Sequence, residues 1–237
     1  MIFEFFTPGI NKIIKNCDAD FIIYDTEHSG IGIEKIKEMS SYCYGLDLYP
    51  IVRVNGKEYN SIAPFLDAGA KGIMVPNIKN AKEAKNIVEF SKYRPLGKRG
   101  IAFNVSHDDY KSGDAKPKLE NANNNNILIA MIESEEGINN IDSILSISGI
   151  DMVWLGHFDL TDSLGSVGDF EDKYFLKCIT TFIDHCKKHQ KPAGFLDVNK
   201  KMLSHFKKLG FKVLGYGHDV VVFQNSLKRG IDMINTF

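Results

Sequence analysis

Ionisable residues follow several short apolar segments of this chain, and their types could carry out chemistry. Asp25-Thr26-Glu27-His28 follows one such segment, Arg53 lies inside another, and Glu133 and Asp159 follow two more. Glu133 and Asp159 offer the oxygen ligands that a hard divalent cation such as Mg²⁺ or Mn²⁺ requires, leaving positions for water and substrate. The alternative interpretation is that both carboxylates cap the helices that come after them.

Arg53 and His28 are the candidates for handling charge and protons. Arg53 would be costly to bury alone, so we expect an anionic partner, either a substrate or a structural ion pair with Asp25 or Glu27. His28 can exchange protons near neutral pH, and Asp25, three residues earlier, could orient it. A histidine on a turn can also be merely solvated, and that alternative stays open.

Eight short segments rich in β-branched and aromatic residues predict the strands that would position these side chains. Most are followed by segments of helical period, which indicates β/α alternation and a parallel sheet. We predict a single domain over residues 1–237, an α/β fold of the (β/α)₈ (TIM) barrel type, in which the carboxyl ends of the strands build the site. The predicted strands are Ile2–Phe6, Phe21–Asp25, Tyr49–Val54, Gly72–Val75, Ile127–Ile132, Met152–Leu155, Pro192–Phe195 and Lys212–Gly217.

Two further segments have alternative interpretations. Residues 93–126 lack periodicity and predict a long loop, either a solvated excursion or a lid or interface element at the face where the strands end. His185 and His189 lie four apart on a predicted helix, a spacing that can bind metal, although contacts with solvent or with the carbonyls at the helix end are the simpler interpretation.

Composition excludes several classes of protein. Lys and Arg number 29 against 30 Asp and Glu, so no net positive field would hold the protein on nucleic acid or anionic lipid. No apolar run approaches the ~20 residues of a membrane span, and the first residues lack the pattern of a signal peptide. We therefore expect a cytoplasmic protein that binds neither nucleic acid nor membranes.

Six segments resemble, in order and spacing, the HpcH/HpaI aldolase family of class II, metal-dependent pyruvate aldolases. DTEHSG is similar to the family's D-x-E-H-G, LDAGAKGIMVP to its L-D-x-G-A-x-G-[IV]-x-V-P, and GHFDL to its G-x-x-D-L. The resemblance covers roughly residues 20–220. The segments are Asp25–Gly30, Ile51–Val54, Leu66–Pro76, Tyr93–Gly100, Ile127–Gly137 and Gly156–Gly165.

The resemblance implies a carbon–carbon lyase that cleaves or forms 2-oxo-acid aldols, from pyruvate and an aldehyde, through a metal-bound pyruvate enolate. Glu133 and Asp159 would bind Mg²⁺ or Mn²⁺, with Co²⁺ possible and no organic cofactor. Arg53 would stabilise charge on the keto oxygen, and His28, oriented by Asp25, would be the acid and base. Gly156, His157 and Phe158 would bind the substrate carboxylate with backbone N–H groups. A homo-oligomer, either a dimer, trimer or hexamer, is also implied.

Four residues depart from the family pattern and keep other functions open. Ser29 replaces a glycine, Met131 replaces a glutamine near the metal, and His157 and Phe158 replace Pro-Ala. One alternative is another enolate reaction at the same site, such as a Claisen-type condensation or oxaloacetate decarboxylation. The other alternative is a barrel that has lost turnover and acts as a binding or scaffold subunit.

Overall fold

The computed structural model describes residues 1–237, and its centre is one curled sheet of seven parallel strands whose neighbours follow the chain order. This confirms an α/β fold with a parallel sheet and seven of the eight predicted strands, within two residues at their ends. The strands are β1 (Phe21–Asp25), β2 (Tyr49–Arg53), β3 (Gly72–Val75), β4 (Ile127–Ile132), β5 (Met152–Leu155), β6 (Ala193–Asp197) and β7 (Val213–Tyr216).

Helices connect the strands, and several begin at an Asn or Asp that caps them. The side chain of Asn80 accepts the backbone N–H of Glu83, and Asp172 accepts those of Tyr174 and Phe175. The helices are α1 (Gly9–Lys15), α2 (Ile33–Ser41), α3 (Tyr59–Asp67), α4 (Ala81–Ser91), α5 (Ala115–Asn125), α6 (Glu135–Asn139), α7 (Ile141–Leu145), α8 (His157–Ser163), α9 (Lys173–Lys188), α10 (Lys200–Leu209) and α11 (Asp219–Ile234). No helix is long and apolar enough to span a membrane.

The sheet separates two apolar clusters. The outer cluster of 39 buried residues lies between the sheet and the helices. The smaller inner cluster fills the curl of the sheet. Strand side chains alternate between faces, so the residue two positions after the last inner-cluster residue of β1, β2 or β4 also points inward, at the carboxyl end of that strand. Those positions are Asp25, Arg53 and Glu133. The inner cluster consists of Ile23, Ile51, Met74, Ile129, Met131, Met152 and Trp154.

The predicted first strand, Ile2–Phe6, is wrong apart from a single bridge between Ile2 and Tyr24. The carboxylate of Asp219 accepts the backbone N–H groups of Phe3, Glu4 and Phe5 at 2.7–3.0 Å. These donors are therefore not available to a strand ladder, and the chain turns away from β1. The expected eight-stranded sheet is accordingly observed as seven strands.

The expectation of a loop over residues 93–126 is also wrong in part, because this segment contains α5 and a short 3₁₀ helix, Ser106–Asp108. No residue of α5 is buried, which explains why its sequence lacks an apolar period. The hydroxyl of Tyr49, the first residue of β2, donates to the carbonyls of Lys71 and Asn125. The helix thus lies at the amino ends of the strands, so it cannot be a lid over their carboxyl ends.

Candidate active site

Asp25 and Arg53 form a buried ion pair at the carboxyl ends of β1 and β2. The two residues are register partners in the parallel sheet, and Arg53 Nε lies 2.6 Å from Asp25 Oδ1. Asp25 is fully buried and Arg53 is 7% exposed. The same Nε lies 3.3 Å from Glu27 Oε2. Both anionic partners that the sequence suggested for Arg53 are therefore in contact with it.

The turn after β1 is organised around the Asp25 carboxylate. It accepts the backbone N–H of His28 at 2.9 Å and that of Glu27 at 3.3 Å, and the Ser29 hydroxyl donates to the Asp25 carbonyl. The His28 ring instead has Glu27 as its charged neighbour, with Nε2 3.7 Å from Oε2, and its side chain is 61% exposed. The expected orientation of the His28 ring by Asp25 is thus not observed, because Arg53 and backbone donors already fill that carboxylate.

Glu133 is a buried carboxyl group among other acids. It follows β4 and is 9% exposed. The pKa of Glu133 is raised to about 7, first by burial and then by the nearby carboxylates of Asp159 and Glu27, which outweigh the lowering effect of Arg53. Three carboxyl groups therefore share one region with a single guanidinium, so excess negative charge collects there in the absence of a cation.

The raised pKa of Glu133 predicts how the stability of the cation-free protein depends on pH. The folded protein holds this proton up to about pH 7, whereas the unfolded chain releases it near its ordinary value of 4.5. The free energy of unfolding should therefore fall by about 3 kcal/mol as pH rises through this interval, then level off. Melting curves in EDTA between pH 4.5 and 8 measure this. Glu133→Gln should have a flatter profile, and equal profiles would contradict the prediction.

Gly156, the residue after β5, lies against Glu133 because the register pairs Ile132 with Leu155 just before them. A Cβ at Gly156 would lie 2.4 Å from Glu133 Oε2 and 2.6 Å from its Cβ. The absence of a side chain at this position is therefore what allows the Glu133 carboxylate to lie beside the start of α8.

Gly156→Ala should displace the Glu133 carboxylate and weaken Mn²⁺ binding by at least about 10-fold, the size of effect seen when support of a metal ligand is lost. Titration of free Mn²⁺ by EPR gives the dissociation constant. Gly9→Ala is the matched control, because a Cβ at exposed Gly9 meets nothing within 4 Å. Equal Mn²⁺ affinity in both variants would show that the crowding at Gly156 has no consequence.

A cavity of about 510 Å³ opens at the carboxyl ends of the strands. It brings together five of the predicted site residues, and Asp25, His28 and Glu133 do not line it. Gly156 N–H donates to the carbonyl of Ile132, while the first backbone N–H groups of α8 have no acceptor within the protein. The predicted site residues that line the cavity are Arg53, Gly156, His157, Phe158 and Asp159.

The ring of His157 is packed among aromatic side chains at one side of this cavity. Its centroid lies 4.7 Å from Phe158, 5.2 Å from Phe170 and 4.8 Å from Phe195. Its Nε2 lies 3.5 Å from Asp197 Oδ2, at the end of β6. The nearby His157 ring and the backbone N–H groups of Val198 and Asn199 hold the pKa of Asp197 below its usual range, against the effect of burial.

Sequence reasoning missed several residues that line the cavity. Asp197 ends a strand as the other predicted residues do, and applying the same rule to β6 could have found it. Phe3 carried no signal, because it reaches the site only through the fold of the first residues, where its ring lies 5.6 Å from Arg53 Cζ. Phe170, in the connection between α8 and α9, had no recognisable motif either.

Comparisons with known proteins support the assignment that the motifs suggested. The chain is 25% identical over 225 residues to a hydroxypyruvate/pyruvate aldolase of Roseovarius nubinhibens, covering 95% of this chain and 87% of that protein. It is 27% identical over 226 residues to a 5-keto-4-deoxy-D-glucarate aldolase of Enterobacter sp. strain 638, covering 95% and 88%. The crystal structure of an HpcH/HpaI aldolase from Desulfitobacterium hafniense superposes with a TM-score of 0.95 at 25% identity, covering all of this chain and 92% of the other.

The family model described as HpcH/HpaI aldolase/citrate lyase matches residues 4–226, nearly the whole chain. That span includes every residue predicted for the site from the sequence. The resemblance found in the motifs is therefore confirmed: the aldolase names of its relatives support a lyase, and the chain belongs to the HpcH/HpaI aldolase/citrate lyase family.

Proposed function

We propose that this protein is a divalent-metal-dependent aldolase that cleaves or forms 2-oxo-acid aldols, with pyruvate as the half that becomes the enolate. The single observation that carries the proposal is the position of Arg53. Its guanidinium lines the cavity together with Asp159, contacts the Asp25 carboxylate, and lies close enough to Glu133 to lower its pKa. A fixed positive charge beside a cation site suits the build-up of negative charge on a keto oxygen.

Glu133 and Asp159 would hold the divalent cation, and the donor chemistry fits it. Their oxygens, close enough to Glu27 for mutual repulsion, suit Mg²⁺ or Mn²⁺, with Co²⁺ a third candidate. When bound, such a cation supplies Lewis acidity toward the keto acid. The carboxylates of Asp159 and Glu27, which add to the effect of burial in raising the pKa of Glu133, support this proposal, because a cation would relieve their repulsion.

Different nitrogens of the Arg53 guanidinium would contact Asp25 and the substrate. Nε donates to Asp25, and the terminal nitrogens are left to approach a keto oxygen in the cavity. The first-turn N–H groups of His157, Phe158 and Asp159 would donate hydrogen bonds to the substrate carboxylate, as helix starts bind anions. Gly156 itself would serve by leaving room, since its own N–H is used within the sheet.

His28 would carry the proton to and from the aldol hydroxyl at its ring nitrogen. Its exposed ring lies next to Glu27, which in turn contacts Arg53, so the turn after β1 links the proton carrier to the guanidinium. The Asp25 contribution in this scheme is to hold the turn and Arg53 in place rather than to touch the ring.

The test is exchange of the pyruvate methyl protons in deuterated water, followed by proton NMR, with Mg²⁺ or Mn²⁺ present. We expect exchange that EDTA stops and that Glu133→Gln lowers by at least about 100-fold. Lack of exchange with every divalent metal would overturn the proposal and favour a scaffold protein. Trapping of pyruvate on a lysine by borohydride would replace the metal mechanism with a Schiff base. Oxaloacetate decarboxylation in the same samples tests the alternative enolate reaction.

The proposed aldehyde half would lie where this chain departs from the family pattern, beside His157 and Phe158. One relative is named for 5-keto-4-deoxy-D-glucarate, a hydroxylated aldol that supports a hydroxylated aldehyde half, whereas the other is named for hydroxypyruvate and pyruvate, 2-oxo acids that bear on the enolate half. A panel of short hydroxylated aldehydes with pyruvate would rank them.

The family assignment also supports the cytoplasmic location expected from the sequence.

We also propose that the curled sheet closes as a (β/α)₈ barrel, with residues 1–3 in the eighth position. The support is the hydrogen bonding of Ile2 to Ile23 and Asp25 on one side, and of Met1 to Gly217 and Asp219 on the other. Protection of the Ile2 and Asp25 amides against exchange, beyond that of amides exposed in loops, would support closure, and its absence would contradict it.

A homo-oligomer, either a dimer, trimer or hexamer, is the assembly that we propose. Helix α11 buries none of its residues, although several of them are large and apolar. A second copy could cover that surface, and light scattering would give the number of subunits. The exposed apolar residues of this helix and tail are Val222, Phe223, Leu227, Ile231, Met233, Ile234 and Phe237.

A further inference from the structure

A cluster of possible metal ligands lies away from the active site, between α7 and α9. His185 Nδ1 is 3.1 Å and His189 Nε2 is 2.6 Å from the same oxygen of Asp142. All three ligand atoms lie within 4.8 Å of one another. His185 lies in the last turn of α9, His189 directly follows the helix four residues later on the same side, and Asp142 comes from the neighbouring helix α7.

The cluster is far from the proposed aldolase site in the topology of the fold. His185 and His189 lie at the end of α9, which leads to the amino end of β6 at Ala193. Glu133 and Gly156 follow the carboxyl ends of β4 and β5. The two groups of ligands therefore lie at opposite ends of the parallel sheet, so residues of one group cannot bind an ion held by the other.

We propose that Asp142, His185 and His189 form a second cation site, selective for a borderline divalent ion such as Zn²⁺ or Cu²⁺, that joins α7 to α9. Two imidazole nitrogens and one carboxylate oxygen are ligands that zinc and copper prefer, whereas Mg²⁺ and Mn²⁺ prefer oxygen alone. The proposal does not rest on the aldolase function.

The geometry needs little adjustment to accept an ion. Bonds of about 2.0–2.2 Å to a central ion at tetrahedral angles separate neighbouring ligand atoms by roughly 3.3–3.5 Å. The carboxylate oxygen is already 2.6 and 3.1 Å from the two ring nitrogens, so small side-chain movements would open the site. The three side chains are partly exposed, which gives an ion access from solvent.

Lys188 marks the position as one that attracts a cation. Its Nζ lies 2.7 Å from the same Asp142 oxygen, so an ammonium group and two imidazoles converge on a single carboxylate oxygen. Hydrogen bonds from Lys188 and His189 hold the pKa of Asp142 well below its usual range, so the ligand is ionised at neutral pH. The ammonium competes with a metal ion, and its removal should tighten metal binding.

The test uses untagged full-length protein carrying Glu133→Gln, which weakens the aldolase cation site, and titrates it with Cu²⁺ under EPR. We expect one equivalent of Cu²⁺ with superhyperfine splitting from two nitrogens. His185→Gln or His189→Gln added to this background should weaken binding at least about 100-fold, since even indirect support of a ligand is worth 10–100-fold. Lys188→Gln should tighten it.

His205→Gln is the matched control, because His205 is an exposed histidine on α10 outside the cluster. It should leave the Cu²⁺ signal unchanged. In the protein with Glu133 intact, His189→Gln should leave pyruvate exchange unchanged, so failure of either proposal is seen separately. Absence of stoichiometric Cu²⁺ binding, or a two-nitrogen spectrum unaffected by both histidine substitutions, would overturn the site. Zn²⁺ should raise the melting temperature of the Glu133→Gln protein and not that of its His189→Gln derivative.

Discussion

Arg53→Lys should lower the rate of pyruvate methyl exchange by about 10²–10³-fold while leaving the protein folded, because loss of one preorganised charge stabiliser has an effect of that size. The guanidinium serves two partners at once, Asp25 through Nε and the cavity through its terminal nitrogens. The lysine ammonium is a single point charge and can serve only one of them. We expect it to stay with the fully buried Asp25, which leaves the keto oxygen without its partner.

Exchange rates at saturating Mn²⁺ and pyruvate, with melting curves for each variant, measure the Arg53 effect. Lys57→Met is the control, since Lys57 pairs with Glu83 at 2.8 Å and does not line the cavity. The control should exchange protons at the wild-type rate. An Arg53→Lys protein that also does so would show that any positive charge near Asp25 suffices.

Asp25→Asn should lower the free energy of unfolding by about 3–5 kcal/mol, because removal of one partner leaves a buried charge uncompensated. Asp25 Oδ1 accepts from Arg53 Nε and the Glu27 N–H, and Oδ2 accepts from the His28 N–H, so asparagine, with one oxygen, loses at least one of these hydrogen bonds as well as the charge opposite Arg53. Glu27, at 3.3 Å from Arg53 Nε, can offset only part of the loss. Urea unfolding followed by circular dichroism gives the free energy.

Glu27→Gln is the comparison for Asp25→Asn. The Glu27 side chain is 25% exposed, whereas that of Asp25 is fully buried, so we expect a loss of about 1 kcal/mol or less. The double variant Asp25→Asn/Arg53→Met should be more stable than the sum of its single substitutions predicts, because no charge is left buried alone. Equal losses for Asp25→Asn and Glu27→Gln would contradict the ion pair as a source of stability.

The sequence predicted the strands, and which strand ends meet, wherever local rules apply. Strand residues alternate, so the polar residues at the ends of β1, β2 and β4 had to continue the inward rows, and their convergence followed from parallel strands. The family resemblance rested on the order and spacing of six segments together, which is more specific than any one motif. The sequence shows a glycine at position 156, but only the structure shows that this position lies against the Glu133 side chain.

What the sequence left out depends on contacts between distant segments. Residues 2–6 have the composition of a strand, yet Asp219 at the far end of the chain takes their N–H groups. The expected link from Asp25 to the His28 ring was local and plausible, but Arg53 competes for the same carboxylate. Helix α5 has no buried face, so the apolar period that identifies most helices was absent.

The order of strands in the sheet has a consequence for folding kinetics. Every strand pairs with its neighbour in the chain, so each pairing needs only the single helical connection between the two strands to close as the sheet grows. The bonds that join the first residues to Gly217 and Asp219 link groups 214–216 residues apart. Closing so long a loop carries the largest entropy cost unless the intervening strands are already paired. We therefore expect this seam to form last during folding, and to be the first part of the sheet to open in the native protein.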